Sequence, residues 1–169
     1  QDKYRVGSSR LSGWDYASNG WYFVTICTRD RIPHFGAIDD AGIHMSPVGV
    51  IMAEEWRRME KLRPSVTLDE SVVMPNHIHG ILVIDHTTDN GLPKTPRRGV
   101  STQSGSRERA WKPGALEAIV NQFKSVCTKR IRAEGYRGFA WQPRFHDHIL
   151  RNEQSLTKIQ EYIHENPSK

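Results

Sequence analysis

Two histidines separated by one apolar residue, His77-Ile78-His79, stand inside the segment MPNHIHGILVI at positions 74–84. The segment is rich in Ile, Leu and Val, which predicts a buried strand. Side chains alternate faces along a strand, so His77 and His79 point one way and Ile78 the other, with the two imidazoles about 7 Å apart along the chain. Two imidazoles on one face can share a metal ion. Polar groups in an apolar strand are costly to bury without partners, and a divalent cation is the first candidate to offset that cost.

Two histidines supply two ligands, and a catalytic metal site has a further protein ligand and open positions. Tyr162 and Asn166 are four residues apart and share one face of a predicted helix. If that helix crosses the histidine face, Asn166 completes the site and Tyr162 hangs beside the cation. Two imidazoles and an amide form a weak, open site suited to Mg²⁺ or Mn²⁺, with Zn²⁺, Co²⁺ or Ni²⁺ able to enter in vitro. A tyrosine hydroxyl, with its pKa of about 10, attacks poorly alone. Against a phosphodiester polarised by a cation it is a usable nucleophile. Spacing by itself does not select Tyr162 over Tyr4, Tyr16, Tyr22 or Tyr136, and a tyrosine beside an isoleucine stripe is ordinary core packing.

A second pair, His146 and His148, flanks the charged Asp147, so it reads as a half-exposed strand. Of the two, His148 is the possible accessory residue, within reach of a phosphate or of the main site. A cupin-like metal barrel also uses His-x-His but needs a glutamate a few residues on, where this chain has Val83 and Ile84.

The elements that must position these residues follow from periodicity. Residues 20–28, GWYFVTICT, read as a first strand. Residues 36–46 read as a small hairpin around Asp39-Asp40-Ala41-Gly42. Ser46 caps a helix that opens with Pro47, carries the stripe Val48, Ile51, Met52, Trp56 and Met59, and stops at Pro64. Residues 66–73 form a strand that pairs antiparallel with the His77–Ile84 strand. Residues 85–114 form a long basic loop without a period. A second helix runs over about 115–133, a last strand over 144–151 and a final helix over about 153–165, capped by Asn152. The order β, hairpin, α, β, β, loop, α, β, α predicts an α+β fold. It is a ferredoxin-like βαββαβ antiparallel sheet with helices on one face and an added C-terminal helix.

At 169 residues the chain, 1–169, is expected to be a single domain. Apolar content of 37% and charged content of 25% suit an ordinary soluble globule. No apolar run approaches a membrane span, and the mixed polar opening does not read as a secretory leader. A cytoplasmic, nucleoid-associated protein is expected. A chain that opens on Gln1 reads as processed or trimmed, and the natural protein can extend beyond Lys169. The two cysteines, Cys27 and Cys127, read as small hydrophobes in a reducing compartment.

The net charge of +5 is unevenly spread, with ten Lys or Arg over residues 86–133 against Asp89, Glu108 and Glu117. Arg97, Arg98, Arg107, Arg109 and Lys112 in the loop, with Lys124, Lys129 and Arg132 on the helix, are the candidates to grip a nucleic-acid backbone.

MPNHIHGILVI matches the His-hydrophobic-His signature of the HUH single-tyrosine transposases. The closing stretch WQPRFHDHILRN…IQEYIHENP is similar to the ending of the REP-associated tyrosine transposases, and the opening RLSGWDY-SNGWYFVTICT resembles the same group. The resemblance covers nearly the whole chain. It implies the ferredoxin-like fold, a divalent metal on His77 and His79, an amide ligand at Asn166 and a nucleophile at Tyr162. It implies single-stranded or hairpin DNA as substrate, cut through a covalent phosphotyrosine and rejoined without ATP, by a monomer or a homodimer. The competing expectation is a non-catalytic nucleic-acid-binding ferredoxin-like domain that stacks bases on Trp21, Tyr22 and Phe23.

Overall fold

The computed structural model of the chain describes residues 13–88 and 114–166. Strand β1 (Gly20–Cys27) is followed by a hairpin, β2 (Gly36–Asp39) and β3 (Gly42–Met45), and by helix α1 (Pro47–Leu62). Strands β4 (Val66–Met74) and β5 (His77–Ile84) come next, then α2 (Leu116–Ala133), β6 (His146–Leu150) and α3 (Glu153–Glu165). The main sheet has the order β4-β5-β1-β6, antiparallel throughout, with β2 and β3 apart from it. With the hairpin set aside, this is the strand order and connectivity of the ferredoxin-like fold, as the sequence predicts.

Local chemistry explains the helix starts. The Ser46 hydroxyl accepts from the Gly49 amide with Pro47 in the first turn, and the Asn152 side chain accepts from the Ser155 amide. The α1 stripe of Val48, Ile51, Met52, Trp56 and Met59 packs with Leu116, Ile119, Val120, Phe123 and Cys127 of α2 over one face of the sheet. Gly80 is required there, because a Cβ at that position would lie 2.3 Å from Trp56 Cζ2.

The pleat of β5 divides its residues between two layers. Ile78, Leu82 and Ile84 join the core with α1 and α2, whereas Ile81 packs with Leu150 of β6 and Ile163 of α3. Helix α3 therefore lies on the opposite face of the sheet from α1 and α2, and it touches β4 and β6. His77 and His79 have the parity of Ile81 and stand on the α3 face.

Candidate metal and nucleophile centre

On that face the sheet register aligns the site. His79 of β5 pairs with Thr25 of β1, and His77 pairs with Cys27. His77 Nε2 and His79 Nε2 lie 3.0 Å apart. Two nitrogens each about 2.1 Å from one cation, at right angles about it, are also separated by about 3.0 Å. The opposite ring nitrogens are occupied. His77 Nδ1 is 2.6 Å from Asn76 Oδ1, and His79 Nδ1 is 2.8 Å from Thr25 Oγ1. A carbonyl oxygen only accepts, so His77 donates from Nδ1 and its Nε2 carries a bare lone pair. The Thr25 hydroxyl can accept likewise from His79. An oxygen behind each imidazole orients it and raises its basicity as a metal ligand.

Burial keeps both rings neutral. It pushes the His79 pKa down from 6.5 to about 4, with the neighbouring His77 adding to the effect. His77 is also lowered, by burial first and then by the charge of Arg31. Neutral imidazoles near pH 7 leave their lone pairs free for a cation.

Tyr162 reaches the same point from α3. Its hydroxyl is 3.5 Å from His79 Nε2, and the side chain remains 40% exposed. Phe23 organises the rings: it stacks on His79 at 5.3 Å between centroids and meets Tyr162 edge-on at 6.2 Å. A bulge in β4, a register shift between Leu68 and Ser71, coincides with the contacts that hold α3. Gln160 Nε2 donates to both carboxylate oxygens of Asp69, and His164 lies 3.7 Å from Glu70. These two anchors fall two residues on either side of Tyr162.

Asn166 follows one turn after Tyr162. Its Nδ2 is buried without a hydrogen-bond partner, and among the described residues it forms no bond to either histidine. Among the described residues no group of three or more His, Cys, Asp or Glu side chains can hold a metal. A third protein ligand within that set would therefore come from another donor type, such as the Oδ1 carbonyl of Asn166; the unpartnered Nδ2 is a donor and would not itself hold a cation. The donor set suits a divalent cation.

Other expected residues fall elsewhere. Arg97, Arg98, Arg107, Arg109 and Lys112 lie outside the described residues. Lys124, expected to face phosphates, is buried, and its ammonium donates to the carbonyl oxygens of Gln142 and Pro143. Arg132 donates to the Phe139 carbonyl, and Lys129 is exposed. All three belong to α2, across the sheet from the histidines. His148 is exposed on the site face, paired in register with Phe23. The aromatic trio expected of a base-stacking domain is split. Tyr22 is fully buried and donates to the Ser18 carbonyl, Phe23 is engaged with His79, and Trp21 alone is exposed.

Sequence reasoning passed over Asn76 and Thr25, and it named Phe23 only as a base-stacking residue. Asn76 was legible as the polar neighbour of His77. Thr25 had no signal, and neither did the contact of Phe23 with His79, because both depend on the register between β1 and β5.

No family model matches the chain. Its fold is that of a REP-associated tyrosine transposase solved bound to a REP hairpin, with a TM-score of 0.57 and 19% identity over 88% of this chain and 67% of that one. An uncharacterized protein of Haemophilus influenzae (strain ATCC 51907 / DSM 11121 / KW20 / Rd) is 33% identical over 172 residues, covering 98% of this chain and 92% of that protein. The chain belongs to the same family as this Haemophilus protein. Among the described residues no helix is long and apolar enough to cross a membrane.

Proposed function

We propose that this protein is a transposase-like enzyme that nicks and joins single-stranded DNA beside hairpins, with Tyr162 as nucleophile and a divalent cation held by His77, His79 and Asn166. The observation that carries the reading is the Tyr162 hydroxyl 3.5 Å from His79 Nε2, beside two neutral imidazoles whose Nε2 atoms face one another. When bound, Mg²⁺ or Mn²⁺ polarises the scissile phosphate and offsets charge on its oxygens. The likeness to a transposase bound to a REP hairpin supports a hairpin DNA partner.

The roles of the protein groups follow from their positions. His77 and His79 would hold the cation beside the scissile phosphate through their Nε2 atoms. Tyr162 Oη, half exposed at the mouth of the site, forms the bond to phosphorus once its proton has left to solvent. The departing DNA oxygen takes up a proton and leaves as a hydroxyl. The phosphotyrosine bond conserves the energy of the phosphodiester, so a second DNA hydroxyl can displace the tyrosine without ATP. Phe23 and the Asp69–Gln160 contact hold Tyr162 against the histidines of its own chain, which favours a monomer acting in cis. The exposed His148 lies beside this path as an accessory phosphate contact. Lys129 and the loop residues Arg97, Arg98, Arg107, Arg109 and Lys112 are the proposed backbone contacts, and the commitments of Lys124 and Arg132 within the fold make them weaker candidates.

The test is a denaturing gel of protein incubated with labelled single-stranded hairpin DNA and Mn²⁺. Wild type is expected to show a covalent adduct, and Tyr162→Phe none, with DNA binding nearly intact. An adduct with Tyr162→Phe removes the assignment.

A further inference from the structure

We propose that Asn76 is a positioning residue that determines which nitrogen of His77 faces the cation site, and that the left-handed turn at Asp30–Arg31 locks the Asn76 amide for this purpose. The value of this role to the enzyme rests on the metal reading above; the role itself does not.

A neutral histidine in water divides between two tautomers, and its hydrogen-bond partner selects one. His77 can offer a lone pair at Nε2 only if its proton sits on Nδ1. The 2.6 Å contact to Asn76 Oδ1 enforces that choice, provided the amide is not reversed. Reversal is opposed by Asn76 Nδ2, which donates to the Arg31 carbonyl at 3.2 Å. A flipped amide would set carbonyl oxygen against carbonyl oxygen and forfeit the bond to Arg31. The main chain of residue 76 is fastened too. The Thr28 amide donates to the Asn76 carbonyl at 2.9 Å, and the hydroxyl of the fully buried Thr28 is shared between that carbonyl at 3.0 Å and the Ile32 carbonyl at 2.8 Å. The preceding Pro75 carbonyl accepts from the Phe35 amide at 2.8 Å.

The Arg31 carbonyl is brought to Asn76 by an uncommon backbone. Asp30 and Arg31 both have φ of 54°, in the left-handed region that is unfavourable for a residue with a side chain. Strain of this kind persists where surrounding contacts over-determine it, and it clusters at functional sites. Here the turn delivers one carbonyl to one amide, and that amide delivers one acceptor to one metal-ligand histidine. A one-residue chain of hydrogen bonds thus couples the β1 exit to the cation site.

The experiment reads tautomers and metal affinity separately. Long-range ¹H–¹⁵N spectra of the metal-free full chain are expected to show His77 as the Nδ1–H tautomer. In Asn76→Ala the signal shifts toward Nε2–H, and Mn²⁺ dissociation measured by titration calorimetry rises about 10–100-fold. Asn76→Asp, which keeps an acceptor toward Nδ1 but loses the bond to the Arg31 carbonyl, retains the Nδ1–H tautomer and binds Mn²⁺ more tightly than Asn76→Ala. An Nδ1–H tautomer that survives in Asn76→Ala overturns the proposal, as does a shifted tautomer with unchanged Mn²⁺ affinity. Failure of wild type to bind Mn²⁺ at all overturns the metal reading instead, while the tautomer comparison still decides the role of Asn76.

Discussion

The two faces of the sheet are built from the same strands and do different work. Toward α1 and α2, β5 presents Ile78, Leu82 and Ile84, and β1 presents Tyr22, Val24 and Ile26, all essentially inaccessible. Toward α3 the same strands present His77, His79, Phe23 and Thr25, and the cover is a single helix with one buried residue, Ile163. The first face excludes water along β1 and β5. The other closes over Ile81 and Leu150 and leaves the histidines beside an exposed tyrosine. The pleat is what permits the separation: adjacent residues on one strand belong to different solvents, so stability and chemistry can be assigned to alternate positions.

That separation can be broken by substituting neighbours. His79→Ala is expected to reduce Mn²⁺ affinity by at least about 100-fold while the fold survives, because a cation site on one imidazole is weak. The adjacent Ile78→Ala should do the reverse. It should lower unfolding free energy by about 2–5 kcal/mol in urea titrations, with Mn²⁺ affinity of the folded protein unchanged. Comparable metal loss in both variants would show that the faces are coupled.

Mixing tests whether the half-covered face is complete within one chain. Tyr162→Phe and His79→Ala proteins are each expected to form no adduct, and their mixture none either, if the tyrosine acts on the histidines of its own chain as proposed. Recovery of adduct in the mixture would mean that α3 is exchanged between copies.

The pH dependence of stability reports on the α3 face specifically. The folded-state pKa of His79 lies near 4, below its ordinary 6.5, so the unfolded chain takes up a proton first as pH falls. Stability is therefore full above about pH 6.5 and is lost progressively down to about pH 4. His79→Gln should flatten that part of the profile of Tm against pH, whereas Ile78→Ala should lower the curve without changing its shape.

The smallest effect belongs to the far side. Ser46→Ala removes the α1 cap and should cost about 1 kcal/mol, leaving adduct formation by the folded protein unaltered.

Much of this was legible in the chain because it depends on local chemistry. The caps at Ser46 and Asn152, the hairpin at 36–45, the antiparallel pairing of β4 with β5 and the common face of His77 and His79 follow from short-range pattern, and the structure has each of them. Lys124 was misread for the same reason. A lysine on a basic helix looks solvated until the loop at Gln142–Pro143 folds over it and accepts its hydrogen bonds. The β4 bulge that coincides with the α3 anchors carried no pattern, since Asp69 and Glu70 lie inside the segment 66–73 that reads as an ordinary strand.

By itself the sequence determined the element order, the strand parity that pairs two imidazoles, and the helix that carries Tyr162. Periodicity and capping act within a few residues, so those features are written locally. Only the tertiary structure decided that α3 crosses the histidine face, that Thr25 and Asn76 stand behind the two rings, and that Tyr162 comes within 3.5 Å of His79. Those outcomes depend on strand register and on which face a helix covers. Both are settled by burying apolar area across the whole sheet, a sum to which no short segment holds the answer.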